Sequence, residues 1–554
     1  MTPSSWVSIG VYPPSARVDH RRLFDALERV FPVRFTGLDF GQAQFHHGAI
    51  LLSRDEPVLT AVEAAGMRTY LAAGEVGVQA TSPIVTADGV TFGSAPEIDR
   101  YLRNQQLSDS QIIGTASLDP ALLDIVLASV DGHPVWGRAT RGRAAIDVVS
   151  MPPVELTEGE VLRDHLFTGR FMALAPLVHF LRELTADQAW DEPPIRACIV
   201  LDDPNFHAMS YGWLDYQQLV AKAKERNFHV AIATVPLDGW LTRNGPKRLV
   251  AEHPGQLSVA VHGNDHLRFE LWEQREVSHY VAVLAKALRR MDRLRDQGLP
   301  YDRVQIAPHN RCGAPAAQAM LLLGYDALSI TRTFRTRAGF DDPVATGGWN
   351  LADVTPGGLP VLVRMHLHDS RDDLRLRAFL RVPIILYGHH EDTANDQAQL
   401  IEAASDVNAL GQVEWMSLAR IARTNLLTRR QGSTLRVRPY SRRVELTIPD
   451  RIEHVRIELP LDHPVGLRDR VMVGENAAAE RDLPLQPGEN RLETALVAVD
   501  SGSTVTIRLS HPESVFHQAV VSPRSKPWSL TRRVLVEARD RGMVSLQRAG
   551  AIRG

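Results

Sequence analysis

Between residues 195 and 390 the chain repeats one device, an apolar run of strand length that ends in a carboxylate or a histidine. RACIVLDDPN, LSVAVHGNDH, DRVQIAPHN, LPVLVRMHLH and VPIILYGHH are all built this way. Helix-forming stretches separate them: WLDYQQLVAKAKERN, the long WEQREVSHYVAVLAKALRRMDRLRDQG, PAAQAMLLLG and a last helix over TANDQAQLIEAASDVNALG, with HVAIATVP and DALSIT as further strands. Strands alternating with helices make a mainly parallel sheet. About seven such units in about 230 residues predict a closed or nearly closed (β/α) barrel, with polar groups at the C-terminal strand ends, where such folds place their sites.

The flanks have a different texture, as expected for a multidomain α/β chain of 554 residues, a length that favours three or more folding units. Residues 1–150 predict a small α/β domain: VSIGVY, GAILLS and MRTYLAA as strands, EPVLTAVEAAG as a helix, and HRRLFDALERVF as a helix with Leu23, Phe24, Leu27, Val30 and Phe31 on one face. It carries no glycine-rich phosphate loop and no reactive cluster. Residues 151–194 read as a helical connector, a packing helix pair. Residues 429–525, with STLRVRPY, RRVELTIP, EHVRIELP and STVTIRLS, predict a C-terminal β-sandwich in a structural accessory role. Residues 526–554 predict an amphipathic helical tail that docks on another domain or a partner.

Composition removes several classes of function. Lys plus Arg is 62 against 65 Asp plus Glu, a net charge of -3, which gives no global pull toward nucleic acid or an anionic membrane. No stretch approaches the 18 apolar residues of a membrane span. The first residues, MTPSSWVSIGVYPPSARVDH, lack a basic region followed by an apolar run, so a cytoplasmic location is expected. Two cysteines, Cys198 and Cys312, exclude a disulfide framework, and no His-Asp arrangement supports Cys312 as a nucleophile.

Three strand-end motifs carry chemistry. Asp202 and Asp203 are adjacent, so their side chains leave the strand end in different directions; one can bind a cation while the other accepts a proton. Taken alone, the pair also fits a plain Asp-Asp-Pro turn. His262 and His266, four apart on a turn expected to enter a helix, can converge on one point, the spacing used for zinc by paired histidines. One Asp with two His leaves a coordination position open for water. His389 and His390 end an apolar strand, and either can protonate a leaving group or stand as an exposed loop pair. His366 and His368 alternate along a strand and are expected on opposite faces. Trp213, Trp240 and Trp349 could form a sugar-stacking platform, though packing is the expected fate of each.

In the order LDDPN, HGNDH, IAPHNRCG, ILYGHH, the chain resembles the polysaccharide deacetylases, carbohydrate esterase family 4, over residues 195–428. The resemblance implies a distorted (β/α) barrel, Asp202 as general base, and Asp203, His262 and His266 as ligands of a divalent metal, usually zinc. It implies His389 or His390 as general acid and a backbone N–H near His309 facing the oxyanion. The chain departs from the family pattern in three places. Pro204 and Asn205 follow the Asp pair where Gly is usual. Gly263 replaces Ser or Thr, and the third motif, with His309, Asn310 and Arg311, lacks the Arg that holds the catalytic Asp. Arg311 or Arg303 is the expected substitute. The expected function is removal of N-acetyl groups from a saccharide or polysaccharide. The alternatives are an idle carbohydrate-binding or scaffold barrel working with polysaccharide-assembly partners, and an amidase acting on a small cytoplasmic metabolite.

Overall fold

A computed structural model describes residues 6–39, 46–72, 84, 89–157, 160–167, 169–331, 349, 351–355, 358–369, 371–460, 470–475, 480–487, 491–511, 513–521, 523 and 527–548. The chain forms two compact units: Met1–Ala189 with Ala338–Asn350 and Ser370–Leu380, and Trp190–Arg337 with Leu351–Asp369 and Arg381–Gly554. The predicted tail beyond residue 548 lies outside the described residues.

The first unit is built on a nine-stranded sheet. Val33–Gly37, Val7–Tyr12, Gly48–Leu51, Arg68–Ala72 and Ala144–Val149 run parallel, and His133–Arg141, Ile125–Val130, Val90–Phe92 and Gln106–Leu107 extend them antiparallel. The helix Arg21–Val30 buries Leu23, Phe24, Ala26 and Leu27, as its periodicity demands, while Val30 stays half-buried. The expected helix pair of the connector is a single α-helix, Ala175–Leu184, preceded by one 3-10 turn at Leu162–His165. Gly169, at φ 87, takes a left-handed turn between them that no continuous helix accommodates.

In the second unit the barrel strands follow the order Ala327–Ile330, Val304–Ile306, Leu257–His262, Val230–Thr234, Ile195–Asp202, Ile384–Gly388, all parallel. A single segment then joins the two edges of this sheet. Its first half, Pro360–Val363, pairs with Ala327–Ile330, and its second, Met365–His366, pairs with Ile384–Gly388. Between the halves, the Arg364 backbone N–H still donates to the Ile330 carbonyl at 2.9 Å. The segment therefore counts as one bent seventh strand, and the barrel of about seven strands is closed by it. Ile195–Asp202 is buried along its whole length, which is why it reads as a continuous apolar run rather than an alternating one. Tyr216–Arg226, Val277–Asp296, Ala314–Leu322 and Ala394–Asn408 supply helical crossovers. The first is capped by Asp215, which accepts from the Gln218 N–H at 2.9 Å, and ends at Asn227 in the left-handed conformation.

The β-sandwich begins at Leu426. One sheet holds Leu426–Gln431, Thr434–Pro439, His454–Pro460, Arg491–Glu493, Gln486–Pro487 and Val497–Ala498, and the other Arg443–Thr447, Thr504–Ser510, Arg470–Glu475 and Arg481–Leu483. Val437, Val444, Ile457, Val471, Val505 and Ile507 fill its interior. A long helix, Pro527–Arg548, follows. Among the described residues no helix is long and apolar enough to cross a membrane.

Candidate active site

Asp202 is the last residue of its strand, and Asp203 turns into left-handed backbone at φ 80, which sends the two carboxylates apart. Asp202 is buried and faces Arg364, whose Nη1 and Nη2 donate to Asp202 Oδ1 and Oδ2, each at 2.8 Å. Burial pushes the Asp202 carboxyl up, but the charges of Arg364 and His262 and the Arg364 hydrogen bonds overturn that, and it is held below its ordinary value. Arg364 is itself clamped: Asn310 Oδ1 accepts from its Nε at 3.1 Å and its Nη2 at 2.8 Å, and the guanidinium lies 4.3 Å from the Tyr387 ring centroid.

Asp203 instead faces the two histidines. His262 Nε2 is 3.9 Å and His266 Nε2 3.4 Å from Asp203 Oδ1, and the ligand atoms of all three lie within 4.8 Å of one another. His262 Nδ1 contacts the Ile306 carbonyl at 3.1 Å, which places its proton there and leaves Nε2 as a lone-pair donor. Burial, ahead of the opposing pull of Asp203, drives the His266 imidazole down to about 3, so it is neutral near pH 7. Burial raises the Asp203 carboxyl, but His266, His262 and Arg533 together bring it well below the carboxylate range.

The two histidines do not meet through a helical repeat. His262 closes its strand, Gly263 at φ 65 and His266 at φ 53 bend the chain leftward, and the next α-helix starts only at Val277. The Glu270 carboxylate holds this loop by accepting from the N–H groups of Asn264, Asp265 and His266 at 3.0, 2.8 and 3.1 Å. That backbone also explains Gly263: a Cβ there would sit 2.6 Å from Glu270 Oε2 and 2.7 Å from Pro308 Cγ. A Ser or Thr hydroxyl has no place in this loop.

Other sequence expectations fare differently. The Arg303 and Arg311 guanidiniums are elsewhere, Arg303 Nη2 3.4 Å from His517 Nδ1 and Arg311 5.5 Å from the Trp272 ring. Arg364, a lone cation inside the apolar run LPVLVRMHLH, is the residue that holds Asp202, and its signal in the sequence was that isolated charge. The His309 ring lies 5.2 Å from that of His266. His389 and His390 separate. The first joins His366 and Asp392 in a second cluster, whereas His390 is buried 5.4 Å from the Tyr211 ring with Nε2 3.8 Å from Asp540 Oδ2. His366 and His368 do not diverge: residues two apart along extended chain share a face, so opposite faces was the wrong expectation, and the rings stand 4.9 Å apart at the strand end. Trp349 is buried on Phe31 in the first unit, and Trp240 is exposed. Burial raises the Cys312 thiol far above its ordinary value, so it stays protonated.

The helix Pro527–Arg548 lies against the same site. Arg533 pairs with Asp238 at 2.6 Å and reaches within 3.4 Å of Asp203 Oδ1, while Arg532 donates to the His266 carbonyl. Glu537 meets His207 Nδ1 at 2.9 Å, and Asp540 accepts from the Tyr211 hydroxyl at 2.8 Å. No sequence pattern pointed to Arg533, because only the tertiary fold brings it to the barrel.

No family model matches the chain, and no curated protein matches it. Solved structures do. A Mycobacterium smegmatis chain assigned to the polysaccharide deacetylases is 14% identical, covers 43% of this chain and 92% of its own, and has a TM-score of 0.31. A family 4 carbohydrate esterase from Streptomyces lividans is 12% identical over 41% of this chain and 93% of its own, at 0.25. A family 4 pseudoenzyme from Bacillus anthracis is 9% identical over 42% and 66%, at 0.26.

Proposed function

We propose that the barrel is a metal-dependent hydrolase that removes N-acetyl groups from a saccharide or polysaccharide. The observation that carries this is the division of labour between adjacent carboxylates, Asp202 clamped by Arg364 and Asp203 aimed at two imidazole nitrogens. The donor set fits a divalent ion. His262 and His266 both direct Nε2 toward Asp203 Oδ1, completing a two-His, one-carboxylate set. That nitrogen and oxygen set suits zinc. When bound, such an ion polarises an acyl carbonyl and acidifies water.

The chain supplies the remaining steps. Asp202, kept ionised by Arg364, accepts the proton of the attacking water. His389 is the better candidate of the two strand-end histidines to protonate the departing nitrogen, because His390 is buried against the Tyr211 ring and Asp540. The amine then leaves neutral and acetate is released. The test is acetate release from N-acetylated chito-oligosaccharides by zinc-loaded protein, lost in Asp202→Asn with zinc retained. No release from any acetylated sugar by wild type would favour a second reading, an idle carbohydrate-binding barrel, for which the Arg533 cation beside Asp203 is the supporting observation.

A further inference from the structure

We infer that His366, His389 and Asp392 form a second divalent-cation site, distinct from the Asp203 site, and that a cation there blocks His389. The inhibitory half of this inference rests on the hydrolase reading above; the binding half does not.

His366, His389 and Asp392 place one ligand atom each within 4.8 Å of the others, the same convergence as Asp203, His262 and His266. They come from two barrel elements that pair directly, Met365–His366 and Ile384–Gly388 with its following turn. The donors thus sit at the ends of neighbouring strands, His366 on one and His389 and Asp392 in the turn that follows the other. The turn is fixed by Asp392, whose Oδ2 accepts from the His389 N–H at 2.8 Å. His368 Nε2 lies 2.9 Å from Asp392 Oδ1, so the carboxylate is oriented from outside, as coordinating carboxylates commonly are. The His366 ring is fixed between Tyr387, edge-on at 5.0 Å, and His368 at 4.9 Å.

Charge separates this cluster from another of similar geometry. Asp147, His179 and Glu183 in the first unit also converge, but Arg68 reaches Asp147 at 3.0 Å, and Arg138 reaches both carboxylates at 2.7 Å. Two guanidiniums already neutralise that set and repel a metal. Among the described residues, Asp392 has no arginine or lysine partner. Its carboxylate and two neighbouring imidazoles, with His368 behind, are the ligand chemistry of zinc, nickel or copper. A cation bound through His389 occupies the lone pair that would otherwise carry the proton to the leaving nitrogen, so it would act as an inhibitor at high metal concentration.

The experiment counts zinc. Metal-free protein is titrated with zinc by calorimetry, and bound metal is read by elemental analysis after gel filtration. Wild type should take two zinc ions per chain in two affinity classes, His262→Ala should keep the weaker one, and His366→Ala should keep only the tighter. His368→Ala should weaken the second class by about 10–100-fold, the usual effect of removing a residue that orients a ligand. Circular dichroism and thermal melting confirm that each variant is folded. A single ion in wild type, or a second ion unaffected by both His366→Ala and His368→Ala, overturns the site. In the activity arm, excess zinc should inhibit wild type and spare His368→Ala at the same concentration. If no variant hydrolyses anything while the zinc counts hold, the hydrolase reading fails and the second site stands; inhibition equal in wild type and His368→Ala overturns the blocking role.

Discussion

Arg364 and Asp202, 162 residues apart in sequence, meet through two parallel 2.8 Å hydrogen bonds inside the barrel. Arg364→Met removes the cation that opposes burial at Asp202. A carboxylate beside an arginine is typically lowered by about 1–3 pH units, so the acidic limb of the kcat/KM profile should move upward by a comparable amount. Breaking a buried pair also costs about 3–5 kcal/mol of stability, so Arg364→Lys serves as a milder second variant. An acidic limb that stays put in both would show that another group carries the base role.

Metal content should follow Asp203, His262 and His266 and ignore Asp202. With zinc supplied at the concentration that fills only the tighter class, Asp203→Ala and His262→Ala should come through desalting without it. Asp202→Asn should retain it while losing about 10²–10⁴-fold in rate, the usual contribution of a general base. Full occupancy of the tighter class after both Asp203→Ala and His262→Ala would dismiss this ligand set.

Gly263→Ser should destabilise the protein by roughly 1–3 kcal/mol, since it forces a side chain into left-handed backbone against Glu270 and Pro308. Zinc affinity should fall with it, because the strained loop carries His266. Thermal melting and zinc titration of this one variant check both, and a melting point equal to wild type would contradict the contact.

The metal-free protein should gain stability as pH rises from about 4 to 6.5. Burial lowers His229 to about 4, with its ring held by the Gly255 carbonyl and the Ser258 hydroxyl, and lowers His266 to about 3, against an ordinary 6.5. In that window the unfolded chain binds more protons than the native one, so acid favours unfolding and stability grows with pH. Melting curves across the window should show the slope, and His229→Gln should flatten it. A slope unchanged by that substitution would remove His229 from the account.

Arg533 should weaken metal binding. Its guanidinium lies 3.4 Å from Asp203 Oδ1, close enough to repel a divalent ion by several kcal/mol even at an effective dielectric of about 20. Arg533→Met combined with Asp238→Asn, which avoids leaving Asp238 as an unpaired buried charge, should bind zinc at least about tenfold more tightly at the first site. Unchanged affinity would mean that the helix has no hold on the metal.

The barrel was legible in the sequence because strands buried on both faces read as apolar runs, and because strand ends in parallel sheets collect reactive side chains. That pattern singles out Asp202, Asp203, His262, His266, His309 and Asn310, and the structure brings Asp203, His262 and His266 together and joins Asp202 and Asn310 through Arg364. Locally, Arg364 shows only as an isolated charge in an apolar run; its pairing with Asp202 depends on the seventh strand changing partner, which has no local pattern. The turn around His262 was mistaken for the start of a helix because a spacing of four fits both; only the φ values of Gly263 and His266 separate them. Arg533 reaches the site from 330 residues away, and local periodicity says nothing about such a contact.

On the proposed hydrolase reading, the segment that bridges both edges of the barrel sheet ties activity to the order of assembly. Arg364 lies between Pro360–Val363 and Met365–His366, so a chain in which these have not yet paired would leave Asp202 without its cation. A contact spanning 162 residues is entropically costly to close and is expected late in folding. If the hydrolase reading holds, partly assembled chains would therefore be chemically silent, and hydrolysis would switch on only when the last edge of the sheet is sealed.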